Sequence, residues 1–423
     1  MRKRRIAAAL CLVAFVGGAL AARSAPLEEI LRPRDHQKLG GAIGKYFDAL
    51  SESEKINEAF SDLKKEVQKL DKKHKKLLEN ESILKLVEDW EKAFYLATPY
   101  KDTGVKKGRL AEQEFEGYFA ETTYAVHVPK AYSSKKGPYP LVISIPKKGQ
   151  TGKAHITEQW IDGAGRGGAI IVSCNMPSNS RMWTEYGEQD NPGGVDTVML
   201  TLGEVKKRLA VDADRIFIAG FEEGVPAASR IAALFPHVFA GLIGRAGDVD
   251  DIAATNFRNV PSFFAGGGEN CTKFAAKAKE AGFENVTVES TATEADIWAW
   301  IGRQARDANP MEISFTPLHR NTTQCYWLMA MGFDVESSPS VHARIDRAAN
   351  TIHIEAEGVS TVRIFFNDLL VDMSSPVKVV CNGVEHEDTL PRRLKEMCET
   401  AYFSGDYGRI YTYSRPYDLP EGE

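Results

Sequence analysis

The stretch Arg215-Ile-Phe-Ile-Ala-Gly-Phe-Glu-Glu-Gly224 decides how the chain reads. An apolar run, Ile216 to Ala219, meets Gly-x-Glu-x-Gly and then a helix-like segment, Val225 to Leu234. The spacing is that of a nucleophile elbow, in which G-x-S-x-G sets a serine on a sharp strand-to-helix turn. Glu222 stands where that serine belongs. A carboxylate cannot take a serine's part in acyl transfer without a different mechanism, so the stretch marks a scaffold and sets its usual chemistry aside.

Outward from the elbow, residues 107–308 alternate strand and helix signals. Short apolar runs fall at Tyr124–Val128, Leu141–Ile145, Ala169–Cys174, Phe239–Ile243, Ser262–Ala265 and Val286–Val288, and a helical stretch covers Val195 to Leu209. Such runs separated by helices predict an α/β fold, a mostly parallel sheet flanked by helices. Before it, residues 27–104 read as a helical segment. Phe60, Leu63, Val67, Leu70, His74 and Leu77 recur at spacings of three and four, and Ile83, Val87, Trp90 and Phe94 form a second stripe. With a turn at Asn80-Glu-Ser, these predict a helical hairpin, with His74 as a half-buried seam residue. Residues 311–423 turn β-rich, with alternation over Ser340–Glu357, Ser360–Phe366 and Val377–Val384 and a tight-turn signal at Asn382-Gly383. They predict a small C-terminal β domain, with the tyrosine-rich end packing back on its sheet.

The first 22 residues are set apart from the fold. Arg2-Lys3-Arg4-Arg5 precede an apolar run from Ile6 to Leu20, which predicts a signal peptide and a secreted or periplasmic protein. The run is shorter than a membrane-spanning helix needs, about 20 residues. The formal charge of −5 becomes −5 − 4 = −9 without the leader's four basic residues. Net acidity argues against nucleic acid or anionic membranes as partners. Beyond the leader stand Cys174, Cys271, Cys325, Cys381 and Cys398, an odd number without metal-like spacing. At least one thiol is therefore unpaired or pairs between chains, and Cys381 with Cys398 is one candidate bridge.

Residues 107–308 resemble the α/β-hydrolase superfamily, in particular secreted esterases, polyester depolymerases and prolyl-oligopeptidase-like proteins. The resemblance is carried by Tyr124-Ala-Val-His-Val-Pro129, Pro138-Tyr-Pro-Leu-Val-Ile143, Val211-Asp-Ala-Asp-Arg-Ile-Phe-Ile-Ala-Gly220 and Phe235-Pro-His-Val-Phe-Ala-Gly241. It implies a serine nucleophile, a histidine base, an acid that orients the base, and an oxyanion hole. The matching positions depart from that set. Glu222 and Glu223 stand at the nucleophile and at the following oxyanion N–H. The loop after Leu141–Ile145 reads Pro146-Lys147-Lys148-Gly149, without the usual His-Gly pair. Glu269 holds the acid's place, with an exposed loop carboxylate as the plain alternative. The stretch Glu289–Trp298, where the base belongs, has no histidine, only Glu294 and Asp296; His155 is the one histidine with a route to the pocket.

Together these predict a hydrolase-like protein whose catalytic machinery is gone, binding a small molecule, polymer or protein. Ligand contacts are expected at Glu222, Glu269, Lys147, Lys148 and His155. Clustered carboxylates share protons or recruit a cation. Solvation of Glu222, or pairing with an arginine such as Arg245, is the favoured reading, so no metal or cofactor is assigned. The alternative is a hydrolase using Glu222 as a carboxylate nucleophile.

Overall fold

A computed structural model of the protein describes residues 30–100, 105–117, 121–188 and 191–420. The leader predicted over residues 1–22 lies outside the described residues. The chain enters through α1 (Pro33–Glu52), α2 (Ile56–His74) and α3 (Val87–Ala97). The predicted hairpin is thus a three-helix unit, with α1 packed against both α2 and α3. Its small residues hide it from periodicity and also permit the packing. A Cβ on Gly40 or Gly44 would stand 2.9 Å from the carbonyl oxygen of Ala93 or Ala97. His74 is buried in the seam, its Nε2 3.3 Å from the Asp35 carboxylate. Leu77 falls beyond the end of α2 and is 68% exposed, so the predicted stripe stops one turn early.

Next come β1 (Leu110–Glu116), β2 (Glu121–His127), β3 (Tyr139–Ile145), α4 (Gly152–Gln159), α5 (Gly163–Gly168), β4 (Ile170–Cys174) and α6 (Gly194–Arg208). Then follow β5 (Val211–Phe221), α7 (Gly224–Leu234), β6 (Gly241–Arg245), β7 (Ser262–Ala265), α8 (Glu269–Glu280), β8 (Val286–Glu289) and α9 (Glu294–Arg303). The eight strands lie in the order β1-β2-β4-β3-β5-β6-β7-β8, antiparallel at β1/β2 and β2/β4 and parallel from β4 onward. This is the arrangement of the α/β-hydrolase fold. Central β5 explains why its apolar run is unbroken. Ile216 and Ile218 enter the core on one face, under α6 and α7. Phe217 and Ala219 enter the core on the other, with Trp160, Trp300 and Ile301. A strand covered on both faces has no polar side to show.

The remaining strands are β9 (Glu312–Phe315), β10 (Gln324–Cys325), β11 (Leu328–Phe333), β12 (Ser340–Asp346), β13 (Thr351–Glu357), β14 (Val359–Phe366), β15 (Val377–Cys381) and β16 (Val384–Asp388). Helix α10 (Leu394–Ser404) and β17 (Tyr413–Asp418) end the described chain. Sheets β10-β11-β14-β17 and β16-β15-β13-β12-β9 enclose one core. Asn382 and Gly383, with φ of 45° and 83°, turn β15 into β16 as the Asn-Gly signal predicts. Tyr417 returns to the sheet on β17. Tyr402 and Tyr407 instead pack with Phe47 and Phe94, because α10 joins the helical unit's core through Met397, Cys398 and Ala401.

One guanidinium ties these parts together. Arg306, just after α9, is buried, and its Nε and Nη2 donate to Asp214 Oδ1 at 3.0 and 2.8 Å. Nη1 and Nη2 donate to the Asp406 carboxylate at 2.7 and 2.8 Å, and Nη1 also reaches the His237 carbonyl. Asp406 in turn accepts from Arg409 Nε at 2.9 Å. The α/β sheet thus meets the segment following α10 across a charged, buried knot.

The five described cysteines are all free and buried. Cys381 sits in the sandwich core and Cys398 in the helical core, so the candidate bridge between them is not made. Burial raises every thiol, Cys381 to about 11 and Cys174 and Cys271 to about 12.

Candidate functional site

The elbow is built as its glycines require. Glu222 takes φ of 47°, a left-handed conformation costing a non-glycine residue about 1–3 kcal/mol. The backbone folds so tightly that a Cβ on Gly220 would stand 2.3 Å from the Gly224 carbonyl oxygen. One on Gly224 would stand 2.5 Å from that of Ile145. Glu222 N–H donates to the Arg245 carbonyl at 2.9 Å, and Val225 N–H donates back to Glu222 O at 3.0 Å as α7 begins. The nucleophile position is therefore aimed as in an enzyme, but it carries a carboxylate.

The β3–α4 loop closes over that carboxylate and its neighbour. Lys147 Nζ lies 3.4 Å from Glu222 Oε1, with both side chains about two-fifths exposed. A pair so open to water contributes about 0–1 kcal/mol. Lys148 N–H donates to Glu223 Oε2 at 3.3 Å. Hydrolases of this fold commonly recruit an oxyanion donor from this loop, and here the protein's own carboxylate occupies one of its amides. Glu222, Glu223, Lys147 and Lys148 are thus brought together. Arg245 does not pair with Glu222: its guanidinium lies over Trp160 and Phe221 and donates to the Gln159 carbonyl.

The other predicted residues go elsewhere. Glu269 is the first residue of α8 and no loop acid; its side chain is 80% exposed and pairs with Lys273 at 2.8 Å, one turn on. Glu294 accepts from Ile161 N–H, Asp162 N–H and Trp298 Nε1, which staples α9 to the segment between α4 and α5. Asp296 closes a capping box with Thr293. Glu269, Glu294 and Asp296 thus do not line the hollow at the elbow. Glu222 and Glu223 border that open hollow of about 520 Å³ with Pro226, Gly247, Asp248, Asp250 and Asn270. No motif or periodicity marks Asp248, whose place is set by the loop after β6. Burial alone would raise its carboxyl, but N–H groups of Asn270 and Cys271 at the start of α8 outweigh it and hold it below the usual carboxylate range. Among the described residues no group of histidine, cysteine and acidic side chains has the geometry of a metal site.

All nine histidines are described, and none lines the hollow. His155 is buried, its ring 6.1 Å from that of Phe221, the residue before Glu222. Its Nδ1 is 3.1 Å from Gln150 Oε1 and its Nε2 2.7 Å from Ser144 Oγ. Because Gln150 Oε1 only accepts, Nδ1 carries the proton and the Ser144 hydroxyl donates to Nε2. Trp160 Nε1 donates to the same hydroxyl at 3.0 Å. Burial first, then the Arg245 charge, push His155 down to about 3. It is a neutral core group without the basicity of a catalyst. Ser144→Ala would strand both the Trp160 donor and the His155 acceptor, and should lower stability by about 1–3 kcal/mol, read by urea unfolding. Since His155 binds its proton only when unfolded between about pH 3 and its ordinary value near 6.5, stability should fall as pH drops through that window.

No family model matches the chain, and no curated protein is similar to it. Solved structures do resemble it. A thermostable esterase matches at 18% identity and a TM-score of 0.38, over 47% of this chain and 63% of that one. This chain thus spans under two thirds of that enzyme's length. An S-formylglutathione hydrolase from Agrobacterium tumefaciens matches at 12% and 0.36, over 48% and 94%. A CE1 ferulic acid esterase from Anaeromyces mucronatus matches at 12% and 0.37, over 48% and 93%. The fold assignment rests on the strand order and the elbow described above.

Proposed function

We propose, from the premise that the chain has the α/β-hydrolase fold, that it is a non-catalytic member of that fold which binds a ligand or partner. The observation that carries this reading is the elbow: its backbone is kept in the strained left-handed form, yet the side chain is Glu222 and an amide of the oxyanion loop is engaged by Glu223. An oxyanion hole must favour developing negative charge, and two adjacent carboxylates oppose it. The absence of any histidine lining the hollow removes the general base. The hollow is open, which suits a projecting group of a polymer or protein better than an enclosed small molecule. In this reading the leader directs the protein to the periplasm or beyond, on the strength of Arg2–Arg5 and the apolar run after them.

The exported protein should show no hydrolysis of short acyl esters above the buffer rate, and a fluorophosphonate should leave every serine unlabelled. Mass spectrometry of the treated protein and p-nitrophenyl ester assays check both. Labelling of a serine beside the elbow, or turnover that Glu222→Gln abolishes, would overturn the proposal in favour of a working carboxylate site.

A further inference from the structure

The helical unit carries a charge pattern that the chain's net acidity conceals. Arg32, Arg34, Lys38 and Lys73 line a hollow of about 590 Å³ where α1 meets the end of α2. Its lone lining carboxylate, Asp35, is buried and already bound by Lys73 Nζ at 2.7 Å and by the Arg32 N–H at 3.3 Å. Lys72, Lys75 and Lys76 flank Lys73 and are exposed. Earlier on α2, Lys65 is neutralised in place by Asp62 and Lys69 by Glu66. Arg34, Lys38, Lys72, Lys75 and Lys76 form no ion pair among the described residues. Next to Lys76, and two residues before the exposed Glu79, Leu77 holds its side chain out to water.

We propose that this basic corner, tipped by Leu77, docks the protein on an anionic phospholipid surface. Unpaired cations near a protruding apolar side chain match a headgroup layer, which offers negative charge outside and hydrocarbon beneath. Long lysine stems let the charges stay at headgroup level while Leu77 enters. Long-range repulsion from the acidic remainder is screened beyond about 8–10 Å in physiological salt, so a dense local patch decides binding where net charge does not. The inference is independent of whether the elbow is catalytic.

The experiment is co-sedimentation of the exported protein with vesicles of phosphatidylcholine, alone or mixed with phosphatidylglycerol. The variant Arg34→Gln/Lys38→Gln/Lys72→Gln/Lys75→Gln/Lys76→Gln removes the unpaired cations. A control, Lys106→Gln/Lys107→Gln/Lys130→Gln/Lys135→Gln/Lys136→Gln, removes as much charge from exposed loops beside the sheet. The wild type and the control should bind mixed vesicles, more weakly as salt rises, and ignore phosphatidylcholine alone. Since each lysine or arginine at such a surface is worth roughly fivefold, the patch variant should lose about 100-fold or more. Leu77→Ser alone, should the multiple variant misfold, should also weaken binding. Three results would each overturn the proposal: equal binding to both vesicle types or to neither, loss in the control as large as in the patch variant, or displacement by inorganic phosphate beyond its effect on ionic strength. The last would assign the hollow to a small free anion.

Discussion

Arg306→Met leaves the buried Asp406 and the half-buried Asp214 facing an apolar chain, and the unfolding midpoint falls steeply. Removing one partner of a buried charged group typically costs about 3–5 kcal/mol, because the remaining charge keeps its desolvation without its counterion. Arg306 satisfies both carboxylates and the His237 carbonyl, so the loss should sit at the upper end of that range. Arg409 still reaches Asp406 and keeps the loss from growing further. The pH dependence identifies the cause. Burial would raise the Asp406 carboxyl, but Arg306 and Arg409 outweigh it and hold it well below its ordinary value near 3.8. The stabilisation is therefore fully present above pH 3.8 and lost as pH falls through the folded value. The gap between wild type and variant should be constant near neutrality and narrow in acid. Thermal melts across pH test this; a gap that stays constant into strong acid would mean that the lost packing, and not the charge, explains the effect.

Glu222→Ser alone recovers no appreciable esterase activity. A serine hydroxyl is a weak nucleophile until a base takes its proton. His155 is committed to Ser144 and Gln150. A general base contributes about 10²–10⁴-fold and an oxyanion donor about 10²–10³-fold. With Glu223 accepting from the Lys148 amide, both are missing, and the deficits multiply to roughly 10⁴–10⁷-fold. Stability should shift by under about 1 kcal/mol, since the lost Lys147 pair is open to water. Ester kinetics and a melt on the single variant decide the matter. Robust turnover would show that a base does reach the elbow and that one substitution separates this chain from a hydrolase.

The sheet was legible because β3, β4 and the second half of β5 are buried on both faces, which writes each as a largely apolar run. Strand β1 escaped notice because it lies at the sheet edge and alternates with glutamates, Leu110-Ala-Glu-Gln-Glu-Phe-Glu116. Helix α8 was missed for another reason: Gly266-Gly-Gly268 reads as loop, and its stripe of Cys271, Phe274 and Ala278 is too thin to outweigh the charges around it. Glu269 accordingly stands on that helix's first turn, paired with Lys273 and outside the lining of the hollow. Glu222 with Lys147, and Glu223 with Lys148, were legible because the elbow and the loop after β3 have fixed places in the fold. Ser144, Gln150 and His155 meet inside one loop–helix unit, and no periodicity announces that a hydroxyl, an amide and an imidazole turn toward each other. Asp248 joins the hollow through a loop whose path only the packing of α8 defines.

The five interred thiols set a race. In the folded protein each is out of reach and, at raised pKa, almost wholly protonated, so it neither attacks a disulfide nor yields readily to an oxidant. On the export route proposed above, the chain crosses a membrane unfolded and has no such protection. Every one of those sulfurs is then at its ordinary reactivity in a compartment that joins thiols, and any pair so joined is one the finished fold does not contain. On that route maturation succeeds only when burial outruns oxidation. The cores that hold these sulfurs are spread from the sheet to the sandwich and the helical unit, so no single one of them can close late without leaving a thiol behind.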